Sequence, residues 1–319
     1  MSKDLGLCFH RHLNPLEVVE HAGAAERLGF DEFWVIEDCF YTTGVSLAAA
    51  ALTATSEITV GLGIMPAVAR TAAMTAMEIA TLGGLGPGRF HAGIGHGVQS
   101  WMEQMGVKPA SPLTALDETV TNVKRLLAGD EVTFHGDYVT LEKVALDVRP
   151  DQVPLVSTGV RGPKSLALSG RVADGTIFAD FVSADYVRWA REQIGTDDHR
   201  ITVFASLAID PDGGNDARMG MSHHLADVAA DAPISLRMAD GWDELEAKAG
   251  EIGWLEACQA QSADWWRTVA PVGTAADAIA YIESIFDAGA DAVAVFPGIF
   301  TPLDDAAAFA AHVLPHFQD

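Results

Sequence analysis

In the stretch Gly29-Phe30-Asp31-Glu32-Phe33-Trp34-Val35-Ile36-Glu37-Asp38 a glycine that stops a helix is followed by an unbroken apolar run, Phe33 to Ile36, and then by two acids. An apolar run without polar alternation is what a parallel strand covered on both faces requires. Upstream, Asn14-Pro15-Leu16-Glu17 reads as a helix start with an N-cap, a proline at N1 and a capping-box glutamate at N3, placing Leu16, Val19 and Leu28 on its buried side. A short apolar strand, 5–9, precedes it.

The same unit repeats downstream. A helix over 45–54 leads to a strand over 58–63, a helix over 71–82 to a strand over 90–94, and a helix over 113–127 comes next. A small hairpin over 131–141, turning at His135-Gly136-Asp137, interrupts the alternation. It resumes with a strand at 153–157, a helix at 163–172, and strands at 175–178, 201–208 and 292–296. Eight buried strands alternating with helices read as an α/β fold of the closed (β/α)8 TIM-barrel type, because an open sheet of this size leaves two edge strands.

Between 210 and 269 the rhythm breaks at Gly213-Gly214-Asn215 and a helical stretch follows, bearing Trp242, Trp254, Trp265 and Trp266. It reads as an insertion after the seventh strand of one domain spanning 1–319, with no Pro- or Ser-rich linker dividing the chain. The tryptophans either pack extra helices onto the barrel or form a substrate lid.

Lys and Arg number 20 against 44 Asp and Glu, a formal net charge of −24, which excludes a basic nucleic-acid binder. Cys8, Cys39 and Cys258 lack both disulfide and metal-ligand spacing, so no metal site is expected and a reducing cytoplasm is the default compartment. The chain has no signal-like segment and no apolar run long enough for a membrane span.

In a barrel of this kind the chemistry sits at the carboxyl ends of the strands. Strand two ends at Glu37-Asp38-Cys39, where adjacent acids either serve general acid/base work or cap the next helix. Strand four ends in Gly93-Ile94-Gly95-His96-Gly97; its glycines admit close approach of a ligand to the backbone, and His96 is a candidate for binding or proton transfer. His10 and His12 at the first strand end read as structural. The loop Ser157-Thr158-Gly159-Val160-Arg161-Gly162-Pro163-Lys164 enters a helix whose N-terminal N–H groups, two cations and two hydroxyls suit a phosphate; the alternative is a capped loop with two exposed cations. Two cations at a helix start oppose the helix dipole, and an anionic ligand resolves that conflict.

Taken together, the segments 29–38, 76–82, Gly88-Arg89-Phe90, 93–97, Gly162-Pro163-Lys164, 170–175, Val272-Gly273-Thr274 and 288–291 resemble the luciferase-like monooxygenase superfamily, in particular its deazaflavin branch, which uses coenzyme F420. The resemblance covers nearly the whole chain except about 210–269. It implies a barrel that binds a flavin or deazaflavin at the strand ends, a non-prolyl cis peptide at Gly63-Ile64 against the cofactor ring, and a homodimer. It places the loop of Gly159, Arg161, Gly162, Pro163 and Lys164 at the cofactor phosphate, where the Thr158 hydroxyl is also expected, and the other expected cofactor residues are Glu37, Gly63, Ile64, Met65, Gly95, Gly97 and Ala179. Two positions depart from the pattern. Relatives that reduce methylene-tetrahydromethanopterin or oxidise sugar phosphates end strand two in Trp-x-x-Asp-His, where this chain has Asp38 in place of the histidine. The sugar-phosphate enzymes carry a glutamate where Val98 stands here. Their substrates therefore do not transfer, and Asp38 and His96 are the proton-transfer candidates, with Cys39 a packing residue.

The function expected is hydride transfer between F420 and a small organic substrate. The alternatives are an FMN-dependent monooxygenase using reduced flavin and O2, and a non-catalytic flavin-binding protein.

Overall fold

The computed structural model describes residues 3–210 and 213–318. The chain runs through β1 (Asp4–Phe9), α1 (Val18–Leu28), β2 (Glu32–Ile36), α2 (Gly44–Ala54), β3 (Thr59–Pro66), α3 (Ala72–Leu85), β4 (Phe90–Gly95), α4 (Gln99–Gln104) and α5 (Pro112–Ala128). A hairpin of β5 (Val132–His135) and β6 (Thr140–Val144) precedes β7 (Leu155–Gly159), α6 (Pro163–Val172), β8 (Gly175–Phe178), α7 (Ala184–Ile194) and β9 (Arg200–Ser206). An excursion follows: β10 (Ala208–Ile209), α8 (Asn215–Ala230), α9 (Ile234–Arg237), α10 (Trp242–Ile252), α11 (Trp254–Gln259), α12 (Ala263–Trp266) and β11 (Val272–Gly273). The chain then completes the barrel with α13 (Ala275–Asp287), β12 (Ala292–Phe296) and α14 (Pro302–His312).

Strands β1, β2, β3, β4, β7, β8, β9 and β12 close into a barrel in that order, every neighbouring pair parallel. The apolar run of β2 shows why both faces must be apolar. Phe33 and Val35 join the core beneath the helices, while Trp34 points into the barrel among Cys8, Ile177, Phe204 and Ala294. The indole leaves no room for a side chain on the adjacent strand: a Cβ on Gly61 would lie 2.2 Å from it. Trp34 Nε1 donates to Glu32 (2.8 Å), which also accepts from Arg200 (2.7 Å), so a polar cluster closes the amino-terminal end. Burial pushes the Glu32 carboxyl up, with the Arg200 guanidinium opposing it.

Most element boundaries fall within two residues of those read from the sequence, and α6, β8 and β12 match at both ends. The first helix does not. Pro15–Glu17 forms a separate 3-10 turn in which Asn14 accepts from Leu16 N (3.1 Å), and the α-helix starts only at Val18. That shifts the phase, so Val18, His21, Ala22 and Ala25 face the core, while Leu16 (86% exposed) and Val19 (49%) lie outside it. The seventh barrel strand also ends earlier than expected. After Ser206 the chain leaves the barrel, Leu207 N bonding Phe296 O, and Ala208–Ile209 pair instead with Val272–Gly273.

Strand β3 runs on to Pro66, with a register break against β4 between Leu62 and Met65. The Gly63–Ile64 peptide within it is cis, as the resemblance implied, and a second cis peptide joins Asp180 to Phe181. In the excursion, Trp242, Trp265 and Trp266 are buried in a core of their own with Phe181, Leu225 and Leu245, and Trp254 packs against it. These tryptophans hold helices together.

Candidate active site

The carboxyl ends of the barrel strands, together with α8, enclose a cavity of ≈1310 Å³. Its apolar part is built by Ile64, Ile177, Phe204 and Phe296. Ile64 lies across the neighbouring strand ends because glycines make room for it: a Cβ on Gly95 would stand 2.1 Å from Ile64 Cδ1, and one on Gly159 2.7 Å. The glycines of β4 were expected to admit a ligand. In the structure Gly93 and Gly95 admit Ile64, so Gly95 lies behind the wall, while Gly97, at φ +69°, and Gly159 reach the cavity. Met65 is turned outward into the helix-facing core and is 1% exposed, so its side chain is not at the cavity.

The paired acids are separated by their partners. Glu37 accepts from Arg70 Nη2 (2.9 Å) and from Gly44 N at the start of α2 (2.9 Å), which is the capping alternative, although it borders the cavity. Asp38 also borders it and is bound by Arg11 Nη1 at 2.7 Å. The two carboxylates therefore do not form one acid/base pair.

His96 lines the cavity with both ring nitrogens engaged. Nδ1 lies 3.1 Å from Pro112 O, a group that only accepts, so Nδ1 carries the hydrogen; Nε2 then accepts from Ser165 Oγ at 3.1 Å. Burial lowers the His96 pKa, with the Pro112 bond opposing.

The loop before α6 divides into an inner and an outer part. Arg161 lines the cavity, donates to the carbonyls of Ala179 and Asp180 (3.2 Å each), and makes no ion pair among the described residues; burial lowers its pKa. Gly162 is the N-cap of α6, no side chain caps that end, and a Cβ on Gly162 would meet nothing within 4 Å. Ser165 and the backbone of Ala179 complete this end of the cavity. Pro163 and Lys164 are exposed and lie outside it. Thr158 is displaced more decisively. It is fully buried between strand and helix, donating to Ser169 Oγ (2.6 Å) in a network that includes Thr176 and His199. Side chains alternate along a strand, so Gly159 and Thr158 cannot both face the barrel mouth.

The model for luciferase-like monooxygenases matches residues 8–292. This chain belongs to that family. The luciferase-like chain is 28% identical over 246 residues to the 5,10-methylenetetrahydromethanopterin reductase of Methanolobus tindarius, covering 75% of this chain and 74% of that protein. It is 34% identical over 181 residues to the F420-dependent glucose-6-phosphate dehydrogenase of Intrasporangium calvum, covering 51% and 53% respectively. In fold it is similar to the coenzyme F420 dependent tetrahydromethanopterin reductase of Methanopyrus kandleri, with a TM-score of 0.85, 21% identity and full coverage of both chains.

Several cavity residues of this luciferase-like protein carry no site role in the sequence reading. Asp180 follows β8, and its carboxylate accepts from Ser206 N (2.7 Å) and from the Ser206 hydroxyl. His224, on α8, places Nε2 3.6 Å from Asp180 Oδ2. His10 also lines the cavity, its pKa lowered to about 4 by burial and by nearby His12, Arg11 and His224. The sequence places Ala179-Asp180 at the end of the sixth barrel strand but gives Asp180 no role, although the rule that singles out Asp38 applies to it. No such rule reaches His224, because nothing local fixes where the excursion folds back.

Proposed function

We propose that the protein is an F420-dependent oxidoreductase that exchanges a hydride between the deazaflavin and a small organic substrate. The anion cradle carries the reading: Arg161 without a carboxylate partner among the described residues and the uncapped start of α6 at Gly162 meet at one end of a cavity with an apolar wall. A flat tricyclic ring with a phosphate-bearing tail fits that donor set. The two curated relatives, a methylenetetrahydromethanopterin reductase and an F420-dependent dehydrogenase, favour the deazaflavin.

When bound, the deazaflavin supplies a two-electron hydride centre and does little oxygen activation. The chain's own residues do the rest. Arg161 and Gly162 N hold the phosphate, while the Ser165 hydroxyl beside them is turned to His96 Nε2. Ile64, backed by Gly95 and Gly159, supports the ring and excludes water beneath it. Glu37 and Gly63 fix the wall at the β2 and β3 ends, while Asp38, oriented by Arg11, borders the substrate end. We read residues 1–319 as one domain whose 210–269 excursion walls the substrate region, α8 being the part that reaches the cavity.

A cytoplasmic setting is supported by three cysteines that form no disulfide, and among the described residues no helix is long and apolar enough to cross a membrane. A homodimer is supported by Met74, Met77 and Leu85, which α3 leaves 47%, 50% and 43% exposed. Sedimentation velocity tests that assembly.

The cofactor reading is tested by fluorescence titration of the protein with F420 and, separately, FMN at fixed salt, for wild type and Arg161→Ala. Tight F420 binding, weaker FMN binding and a loss of about tenfold or more in Arg161→Ala are expected, since a charge-assisted contact contributes about 1.5–3 kcal/mol. Preference for FMN would move the assignment to a flavin monooxygenase. Binding of neither would sink both readings, and tight binding without turnover would favour a carrier.

A further inference from the structure

We propose that His224, carried into the cavity by α8 and oriented by Asp180, is the residue that passes the proton to and from the substrate. The inference rests on the hydride-transfer reading above. Hydride addition to a carbonyl carbon puts an electron pair on oxygen, so a proton donor must stand beside that oxygen.

The titratable groups at the β1, β2 and β4 ends of the cavity are committed, and His223, beside His224 on α8, faces no carboxylate within ion-pair distance among the described residues. Glu37 is held by Arg70 and Gly44 N, Asp38 by Arg11, and both nitrogens of His96 by Pro112 and Ser165. His10 stays neutral, with its pKa lowered to about 4. His224 differs in geometry and in charge. Its Nε2 faces a carboxylate that is itself fixed by two bonds to Ser206, its ring rests on Phe181 at a centroid distance of 5.4 Å, and its half-exposed side chain lines the cavity. Nδ1 has no hydrogen-bond partner among the described residues. An aspartate at one imidazole nitrogen, with the other facing a substrate cavity, is the arrangement in which a histidine gives and takes protons.

The groups around it are Asp180 after β8, Asp227 on its own helix, and Arg11 and His10 after β1. The Asp180 carboxylate dominates and holds the imidazole above its ordinary value, against the opposing effects of burial and Arg11. In the reducing direction the carbonyl carbon of the substrate gains a hydride supplied by a reduced deazaflavin. The Nδ1–H bond breaks and its proton goes to the carbonyl oxygen, leaving an alcohol and a neutral imidazole with its hydrogen on Nε2, toward Asp180. Solvent restores the Nδ1 proton. Oxidation of an alcohol runs the same sequence in reverse.

Two measurements test this. The first needs neither cofactor nor substrate: the imidazole resonances of protein labelled with 15N-histidine are titrated with pH, His224 being assigned from His224→Gln. The expected midpoint lies above the ordinary histidine value of about 6.5 and falls in Asp180→Asn. A midpoint that ignores Asp180→Asn overturns the pairing. In the second, oxidation of reduced F420 by uncharged ketones and enones is followed in wild type and His224→Gln. The expected result is a loss of at least about 100-fold in kcat/KM, disappearance of the high-pH limb, and an F420 Kd within about twofold of wild type. Retention of kcat/KM within about threefold, with the limb intact, overturns the assignment. Failure of wild type to bind F420, with the Asp180-dependent titration present, counts against the cofactor reading and leaves the His224–Asp180 pair standing.

Discussion

Replacing Gly61 by alanine puts a methyl group where the six-membered ring of Trp34 already lies. The new Cβ would stand 2.2 Å from Trp34 Cδ2 and Cε3, whereas apolar carbons rest at about 3.5–4.0 Å, so the ring must retreat by more than about 1 Å. It has no free direction. Trp34 is 0% exposed, with the Phe204 ring 5.1 Å away on one side and His91 at 4.9 Å on another. A rigid indole in a closed barrel cannot relax as a flexible side chain does, so the cost falls at the upper end of the overpacking range, about 3 kcal/mol. Urea unfolding followed by circular dichroism on wild type, Gly61→Ala, Trp34→Phe and the double variant measures it as a cycle. In the Trp34→Phe background, where a smaller ring fills the same space, Gly61→Ala should cost under about 1 kcal/mol, a coupling of about 2 kcal/mol. If Gly61→Ala costs less than about 0.5 kcal/mol, or costs the same in both backgrounds, Trp34 does not set the packing of the barrel interior.

Lys164→Ala should leave F420 affinity within about twofold of wild type, because Lys164 lies outside the cavity that Arg161 lines, and the titration used for Arg161→Ala reads it. Arg70→Ala should destabilise the fold by about 2 kcal/mol in urea, since it leaves the nearly buried Glu37 carboxylate with only the Gly44 N–H. Acid should weaken the protein before its carboxylates titrate. Burial lowers His91 to about 3 and His199 to about 4, so below about pH 6.5 the unfolded chain takes up protons that the folded one refuses, and stability falls as pH drops toward those values. His91 alone contributes a loss on the order of 2 kcal/mol between pH 6.5 and 5, and His91→Gln should flatten that part of a urea-stability profile taken at pH 5, 6 and 7.

The barrel was legible because its signals are local. A buried parallel strand must be apolar on both faces, so Phe33 to Ile36 and Ala292 to Phe296 stand out from single windows. Pro163 at N1 marked the start of α6 in the same way. At the site, local signals separated backbone from side chain poorly. Gly95 did mark a close approach, but what approaches is Ile64 from a neighbouring strand, beside the register break in β3. Thr158 was misplaced because residue type was weighed without strand parity: Ser157 faces inward to His91, so its neighbour must face outward to Ser169. Leu16 and Val19 were misplaced because a 3-10 turn changes helical phase without changing composition. His224 depends on the tertiary path of some sixty residues that no short pattern encodes.

The short parallel pairing of Ala208–Ile209 with Val272–Gly273 brings the two ends of the excursion together. Both of its ends are anchored at one spot beside the barrel rim, its tryptophans pack in a core of their own that takes in Phe181 from the barrel side, and Arg218 and Arg267 tie it to Asp277 on α13. Exchange of the segment between these two anchors would therefore replace α8 and its histidine while leaving the other cavity-lining groups, Arg161, Gly162 and Ile64, in place. On the proposed function, substrate choice and hydride chemistry would then reside in different parts of the same chain.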